Sequence, residues 1–499
     1  MAQLLQEITQ LLQEITQLLQ ETTQLLQEMT QLLQEMAQLL QEMTQLLQDM
    51  TQLLQDMTQL LQEMTVFAYG CGDNKSETVA ETERKYFYVP DANFARILKY
   101  KDAVWITTID GVNRLNIDAV SKFEGSLDIA SSNIKSLEGI EYFTSLTTLD
   151  CSYNQLQTLD VSKNVNLTTL NCYNNQLQTL DVSQNVNLTT LNCYNNQLQT
   201  LDVSQNVNLR SLYCSGNQLK TLDVSKNVNL TALDCSYNQL QTLDVSGAVN
   251  VTTLDCSRNR LQTLDVSKNV NLRSLLCSDN QLQTLDVSKN VNLRSLLCEY
   301  NQLQSLDVSG AVNLTTLYCY NNQLQTLDVS KNVNLTTLNC SYNQLQTLDV
   351  SGAVNLKVLY CYNNQLQSLD VSGAVNLTTL DCEYNQLQTL DVSKNVNLTR
   401  LYCYSNYLKS LDMRGMRSVN YLYITTVVNN GGNSNSGLTS VKVHSSVATH
   451  EELKNAKNAT GLQIDTYTAA SDSTTYTQAI CDFDPSTGLR ASTARACTP

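Results

Sequence analysis

Between residues 146 and 418 the apolar positions recur in one order every 21 residues, in the frame L-x-x-L-x-C-x-x-N-x-L-x-x-L-D-V-S-x-N-x-N, repeated thirteen times. In the first copy Leu149 and Cys151 stand two residues apart. That spacing puts both on the inner side of a short strand and leaves Thr148, Asp150 and Ser152 outside. Asn154 then falls at a turn, where its carboxamide can bond the backbone of neighbouring coils. Stacked copies at Asn154, Asn175 and Asn196 predict an internal amide ladder. The second half of the unit, Leu159-Asp160-Val161-Ser162-Lys163-Asn164, repeats the L-D-x-S-x-N frame of the first. It predicts a second narrow strand or extended turn on the opposite side, since 21 residues leave little length for a helix and Val161 and Val165 disfavour one. No coil buries its leucines alone, so stacking must supply the stability. At about 4.8 Å per coil the stack is on the order of 60 Å long.

Residues 1–65 follow a different period. Leu4, Ile8, Leu11 and Ile15 alternate spacings of four and three, the seam of a coiled coil. Leu5, Leu12 and Leu19 widen that stripe to three apolar positions in seven, which favours a bundle larger than a dimer. A single helix over this stretch would be on the order of 95 Å long. It carries nine acids and no Lys or Arg, so self-association works against like charge. Two readings stay open: an oligomerising stalk, or a translated simple repeat without a role.

The remaining segments divide by composition. Residues 66–85 are a linker in which the small residues before Cys71 resemble the cleavage end of a bacterial lipoprotein signal, without the cationic and apolar stretches that normally precede one. Cys71 is thus either a lipidation site or a plain linker cysteine. Residues 86–145 are expected to form an N-terminal cap and an irregular first repeat, with a helix starting near Asp91 that sets Phe94, Ile97 and Leu98 on one face. Residues 419–470 carry a decaying repeat, with Ile424 where a cysteine is due, and a C-terminal cap with a short helical pattern near Glu451–Ala459. Residues 471–499 form a tail.

Sixteen cysteines change the picture less than their number suggests. Thirteen, at Cys151, Cys172, Cys193, Cys214, Cys235, Cys256, Cys277, Cys298, Cys319, Cys340, Cys361, Cys382 and Cys403, mark one position of the repeat. An odd number at one spacing is neither a disulfide framework nor a C-x-x-C metal pattern. They are expected to pack inside as small hydrophobes. Cys481 and Cys497 would close a C-terminal loop in an oxidising compartment. The net charge of −16 is concentrated in the heptads; the repeats, with 20 acids and 17 bases, lack the cationic excess that nucleic acid requires. With only His444 and His450, histidine-based zinc sites and most histidine-dependent catalysis are nearly excluded, and no apolar stretch is long enough to cross a membrane as a helix.

These residues carry a resemblance. The 21-residue unit is the leucine-rich-repeat pattern with Cys in place of one Leu, and it resembles bacterial surface proteins of the internalin-J-like type, as do Val89-Pro90-Asp91-Ala92-Asn93-Phe94 and Leu137-Glu138-Gly139-Ile140-Glu141-Tyr142-Phe143. The resemblance covers roughly residues 86–424. It implies a capped, mainly β solenoid with a parallel sheet on one face and short strands or turns opposite, here preceded by the heptad helix. It further implies a cell-surface or secreted location and an adhesin or receptor role in protein or glycan recognition. Relatives often hold a calcium loop in the cap; Thr108-Ile109-Asp110-Gly111-Val112-Asn113 has one Asp without the other oxygens calcium wants, so no metal is expected there.

The outer face of the strand offers candidate binding residues. Tyr320, Tyr362 and Tyr404 follow the ladder cysteine, and Tyr318, Tyr360, Tyr402 and Tyr423 hold the position before it. Tyrosine brings a broad ring and a hydroxyl at low entropy cost. Arg273 and Arg294 line an edge beside Leu276 and Leu297. The competing explanation is that tyrosine simply suits a solvated sheet. The Asp before each Val reads as a turn-stabilising side chain. No enzyme and no cofactor are expected, because every Asp, Ser, Tyr and Cys recurs in register, whereas catalysis needs a unique convergent set. The alternative function is a structural spacer assembled through residues 1–65 without a dedicated ligand.

Overall fold

The computed structural model describes residues 38, 45, 85–418, 420–423, 440–444 and 463–467. The chain divides into two compact units, Met1–Arg84 and Lys85–Pro499. In the first, Gln38 and Gln45 are helical. The rest of the heptad segment, Cys71, the Glu451–Ala459 pattern, Cys481, Cys497 and the tail lie outside the described residues.

The second unit opens with β1 (Tyr86–Tyr88), α1 (Ala92–Lys101), β2 (Ile106–Ile109) and β3 (Val112–Asn116), where β3 pairs antiparallel with both β1 and β2. Asp110 and Gly111 join β2 to β3 with φ of 52° and 75°, the two left-handed residues of a tight hairpin turn. Asp91 explains why α1 begins where it does. Its Oδ1 accepts hydrogen bonds from the amides of Asn93 and Phe94 as an N-cap. Its Oδ2 accepts from the amides of Lys135 (2.6 Å) and Ser136 (3.1 Å), tying the helix to the first coil. Phe94 and Leu98 are fully buried. Trp105, Phe123 and Phe143 meet edge to face, with centroids 4.8 to 6.3 Å apart. These rings cover the apolar end that an open stack would leave wet.

Next come a short helix α2 (Ile117–Val120) and the strands β4 (Gly125–Asp128) and β5 (Leu146–Asp150). Each later coil adds one three-residue strand, from Thr169–Asn171 to Tyr421–Tyr423, and the whole is one 15-stranded parallel sheet. Equivalent residues pair in register, as Leu170 with Leu191, and the register slips only between Gly125 and Ser126. Each coil sends the same side chains inward; in one, Leu167, Leu170, Cys172, Leu177 and Val182 are fully buried.

The opposite side is strand only in places. Thr326–Asp328 pairs with Thr347–Asp349, and Thr389–Asp391 with Ser410–Met413, which extends through Ser440–His444 to Gln463–Tyr467. Elsewhere single bridges such as Asp160 with Asp181 stand in for a strand. The reason is local: the Asp160 carboxylate accepts from the Ser162 amide at 2.9 Å, and this turn, repeated down the stack, competes with extended backbone.

Two asparagine columns hold the coils together. In the first, Asn175 Nδ2 donates to the Cys151 and Cys172 carbonyls at 3.0 and 3.1 Å, while Oδ1 accepts from the Leu156 amide at 3.0 Å. The arrangement repeats in every coil through Asn406. In the second, Asn185 Nδ2 donates to the Val161 and Asn164 carbonyls, but its Oδ1 is buried without a partner.

Candidate functional site

All thirteen ladder cysteines are fully buried and none is in a disulfide. Burial pushes Cys193 and Cys340 up to about 12 and the other eleven upward as well. Several also donate weakly to the next coil, as Cys151 Sγ does to the Asn171 carbonyl at 3.4 Å. A thiol held protonated in a dry column is neither nucleophile nor metal ligand. The chemistry of this unit therefore lies on its surface.

The outer sheet face carries three rows per coil: the strand residue before the leucine, the strand residue before the cysteine, and the residue after it. Tyr318, Tyr360 and Tyr402 occupy the middle row, with Asn339 and Asp381 between them in register. In the third row Tyr320, Tyr362 and Tyr404 alternate with Ser341 and Glu383. The tyrosines of one row are thus two coils apart, roughly 10 Å. Tyr318, Tyr320, Tyr360, Tyr362 and Tyr402 are half-buried, while Tyr404 is only 5% exposed and offers little surface. Tyr423 continues the middle row by pairing with Tyr402.

A further set of rings closes these gaps, and the spacing of the sequence did not reveal it. The residue two places after each ladder cysteine has φ between 50° and 66° in all thirteen coils. Tyrosine stands there at Tyr153, Tyr237, Tyr300, Tyr342 and Tyr384, and this left-handed turn leans the ring toward the following coil. Tyr300 meets Tyr320, Tyr342 meets Tyr362 and Tyr384 meets Tyr404, each edge to face with centroids 5.2 or 5.3 Å apart. Tyr318 and Tyr320 add a contact at 6.5 Å within one coil. Where the next coil offers Ser257, Arg258 instead lies 4.6 Å over Tyr237 and pairs with Asp279.

Acids are set among these rings. Glu299 and Glu383 are buried, and burial pushes the Glu299 carboxyl above the usual range. Burial, and then the charge of Glu299, push the Tyr320 hydroxyl up to about 12; burial and Glu383 raise Tyr404 further. The face is aromatic, hydrogen-bonding and negative. Arg273 and Arg294 do not join it. Both are exposed and belong to the row three residues before Leu276 and Leu297, at the sheet edge, where Arg273 lines a groove.

The chain resembles known proteins in this architecture. A family profile for the leucine-rich-repeat domain of the endo-β-N-acetylglucosaminidase EndoS matches residues 112–227, and a profile of paired leucine-rich repeats matches residues 312–353, 333–373 and 354–395. Among curated proteins no relative matches. Among solved structures, the functional domain of InlJ from Listeria monocytogenes, which includes a cysteine ladder, is 33% identical over 76% of this chain and 79% of that one, with a TM-score of 0.62. A leucine-rich-repeat protein of Leptospira interrogans is 25% identical over 70% of this chain and 97% of that one, with a TM-score of 0.56. An internalin (inlF) of Listeria monocytogenes shares the fold at 22% identity and a TM-score of 0.50, covering 64% of this chain and 91% of that one.

Proposed function

The chain belongs to the internalin-type leucine-rich-repeat family with a cysteine ladder, and from that premise we propose that it is a binding protein of adhesin or receptor type, exposed on a cell surface or secreted. A protein partner docks on the tyrosine-bearing part of the outer sheet face, between Glu299 and Tyr404. The observation that carries this reading is the set of edge-to-face tyrosine pairs fixed across consecutive coils. Rings already ordered in the free protein lose little entropy on binding. The acids Asp279, Glu299, Asp381 and Glu383 lie among them. Lysine or arginine side chains of the partner would meet both a ring face and a negative field. The role is one of recognition and not catalysis, and it needs no cofactor.

Replacing Tyr318, Tyr320, Tyr360 and Tyr362 together by serine in the full chain tests this. Attachment to intact cells, measured against the unaltered protein, is expected to fall at least tenfold, with the melting temperature lowered by only a few degrees. Undiminished attachment rejects the face.

A further inference from the structure

A second surface runs along the edge of the same sheet, away from the tyrosines. Two adjoining grooves of about 600 and 440 Å³ share Arg210 and Asn229 and together extend from Glu124 to Asn292. One wall is the row two residues before each strand leucine, represented by Thr147, Thr168 and Thr189; the other is the last asparagine of each repeat, represented by Asn166, Asn187 and Asn208.

The threonine hydroxyl hydrogens of these walls, and one amide hydrogen on each anchored asparagine, are already committed. The Thr168 and Thr189 hydroxyls donate to the Thr147 and Thr168 carbonyls, each at 3.1 Å, and Thr231 and Thr252 repeat the bond further along. Asn187 and Asn208 each spend an amide hydrogen on the preceding coil, at the Val165 and Val186 carbonyls, both 3.1 Å away. A threonine oxygen whose hydrogen is used can only accept, and a carboxamide so anchored keeps its oxygen and one N–H. The groove is therefore a rigid lattice, rich in acceptors, that repeats about every 4.8 Å. No aromatic side chain lines it. Its natural complement is a linear array of hydroxyl donors. Cations replace threonine at Arg210 and Arg273 in the lining, and Arg294 holds the next place in that row; all three are exposed.

We propose that this edge groove binds a linear polysaccharide bearing carboxylates, laid along the stack. Its hydroxyls donate to the threonine and asparagine rows, and its carboxylates meet Arg210, Arg273 and Arg294. Nucleic acid is a poor fit, because three guanidinium groups strung along so many coils release few counterions. This ligand is distinct from the partner on the tyrosine face, and either assignment can fail without the other.

The test is electrophoresis of the full chain through native gels containing polygalacturonate, alginate or hyaluronate, with dextran as a neutral polymer and single-stranded DNA as a polyanion without the sugar-hydroxyl pattern. At least one uronate polymer is expected to retard the protein at least tenfold more strongly than dextran or DNA. Changing Arg210, Arg273 and Arg294 together to Gln should remove at least tenfold of that retardation at unchanged melting temperature. The isosteric Thr189→Val should weaken it a few-fold, and the fourfold tyrosine-to-serine variant should leave it within twofold. Retardation by none of the three uronates, equal retardation by DNA, or indifference to the arginine changes overturns the proposal.

Discussion

Tyr300 holds φ at 55°, in the left-handed region that costs an L-residue roughly 1–2 kcal/mol. The strain is met locally. Its amide donates to the Tyr320 carbonyl at 3.1 Å, and its ring pairs with Tyr320, an arrangement worth about 0.5–1.5 kcal/mol beyond area burial. Ser405 takes the same turn at φ 52° without a ring to offset the cost, whereas Gly216 occupies it without a Cβ. Ser405→Gly should therefore raise the unfolding free energy by about 1 kcal/mol, read from the urea midpoint; a lowered midpoint would mean that the serine side chain contributes more than the strain removes. This position was not legible in the sequence, because Tyr, Asn, Gly, Arg, Asp and Ser all occupy it and only Gly216 and the four asparagines Asn174, Asn195, Asn321 and Asn363 hint at a left-handed turn. The Leu, Cys and first-column Asn positions were legible for the opposite reason. Each is buried once per coil with one set of partners, so within the thirteen repeats only Val251, at a leucine position, departs from the pattern.

Within the coil, the second asparagine column shows how two neighbouring residues change together. Four coils replace it by Ala248, Ala311, Ala353 and Ala374, and in each of them Gly stands just before. A Cβ on Gly247, Gly310, Gly352 or Gly373 would lie 1.7 to 2.3 Å from a serine carbonyl of the preceding coil. Where Asn is present, as Asn395, it reaches back to two carbonyls in the preceding coil, and Lys or Gln precedes it. Alanine makes no such reach, and its coil settles closer onto its neighbour. The first column, satisfied at both ends of the amide, is never replaced in the repeats; the second, with an oxygen left unpartnered, is dispensable. Gly352→Lys alone should cost about 2–3 kcal/mol by overpacking. Adding Ala353→Asn should recover most of that loss in a double-mutant cycle, and a double variant as unstable as the single one would contradict this coupling. The tyrosine rows were placed on the outer face by two-residue alternation alone. Which residue of the next coil a turn side chain leans on has no signature in one coil, so the partner rings Tyr300, Tyr342 and Tyr384 emerged only from the structure. Arg273 and Arg294 lie exposed at the edge of the sheet, one residue ahead of their strands, and stay apart from the tyrosine face.

Across the whole molecule, one turn chemistry repeated down the stack sets the response to acid. Nine turn aspartates, from Asp160 to Asp370, are held below the usual carboxylate range by the amide and hydroxyl of the serine two residues on. A carboxyl depressed in the folded state contributes stability that is complete above its unfolded pKa of about 3.9 and is lost as pH falls through the folded value. Asp255 and Glu299 are raised by burial and act oppositely, favouring the fold when protonated, against the nine turn aspartates. The melting temperature should thus be lower at pH 3 than at pH 6, and an equal or higher value at pH 3 would show that the turn bonds carry little weight. The solenoid itself rests on the dry sulfur column running through every coil. Thiol labelling of the native full chain at pH 8 probes that column most directly. No more than three cysteines, Cys71, Cys481 and Cys497, should react, with thirteen more reacting once the protein is unfolded. Rapid labelling of more than three in the native protein would contradict the stacked-coil account.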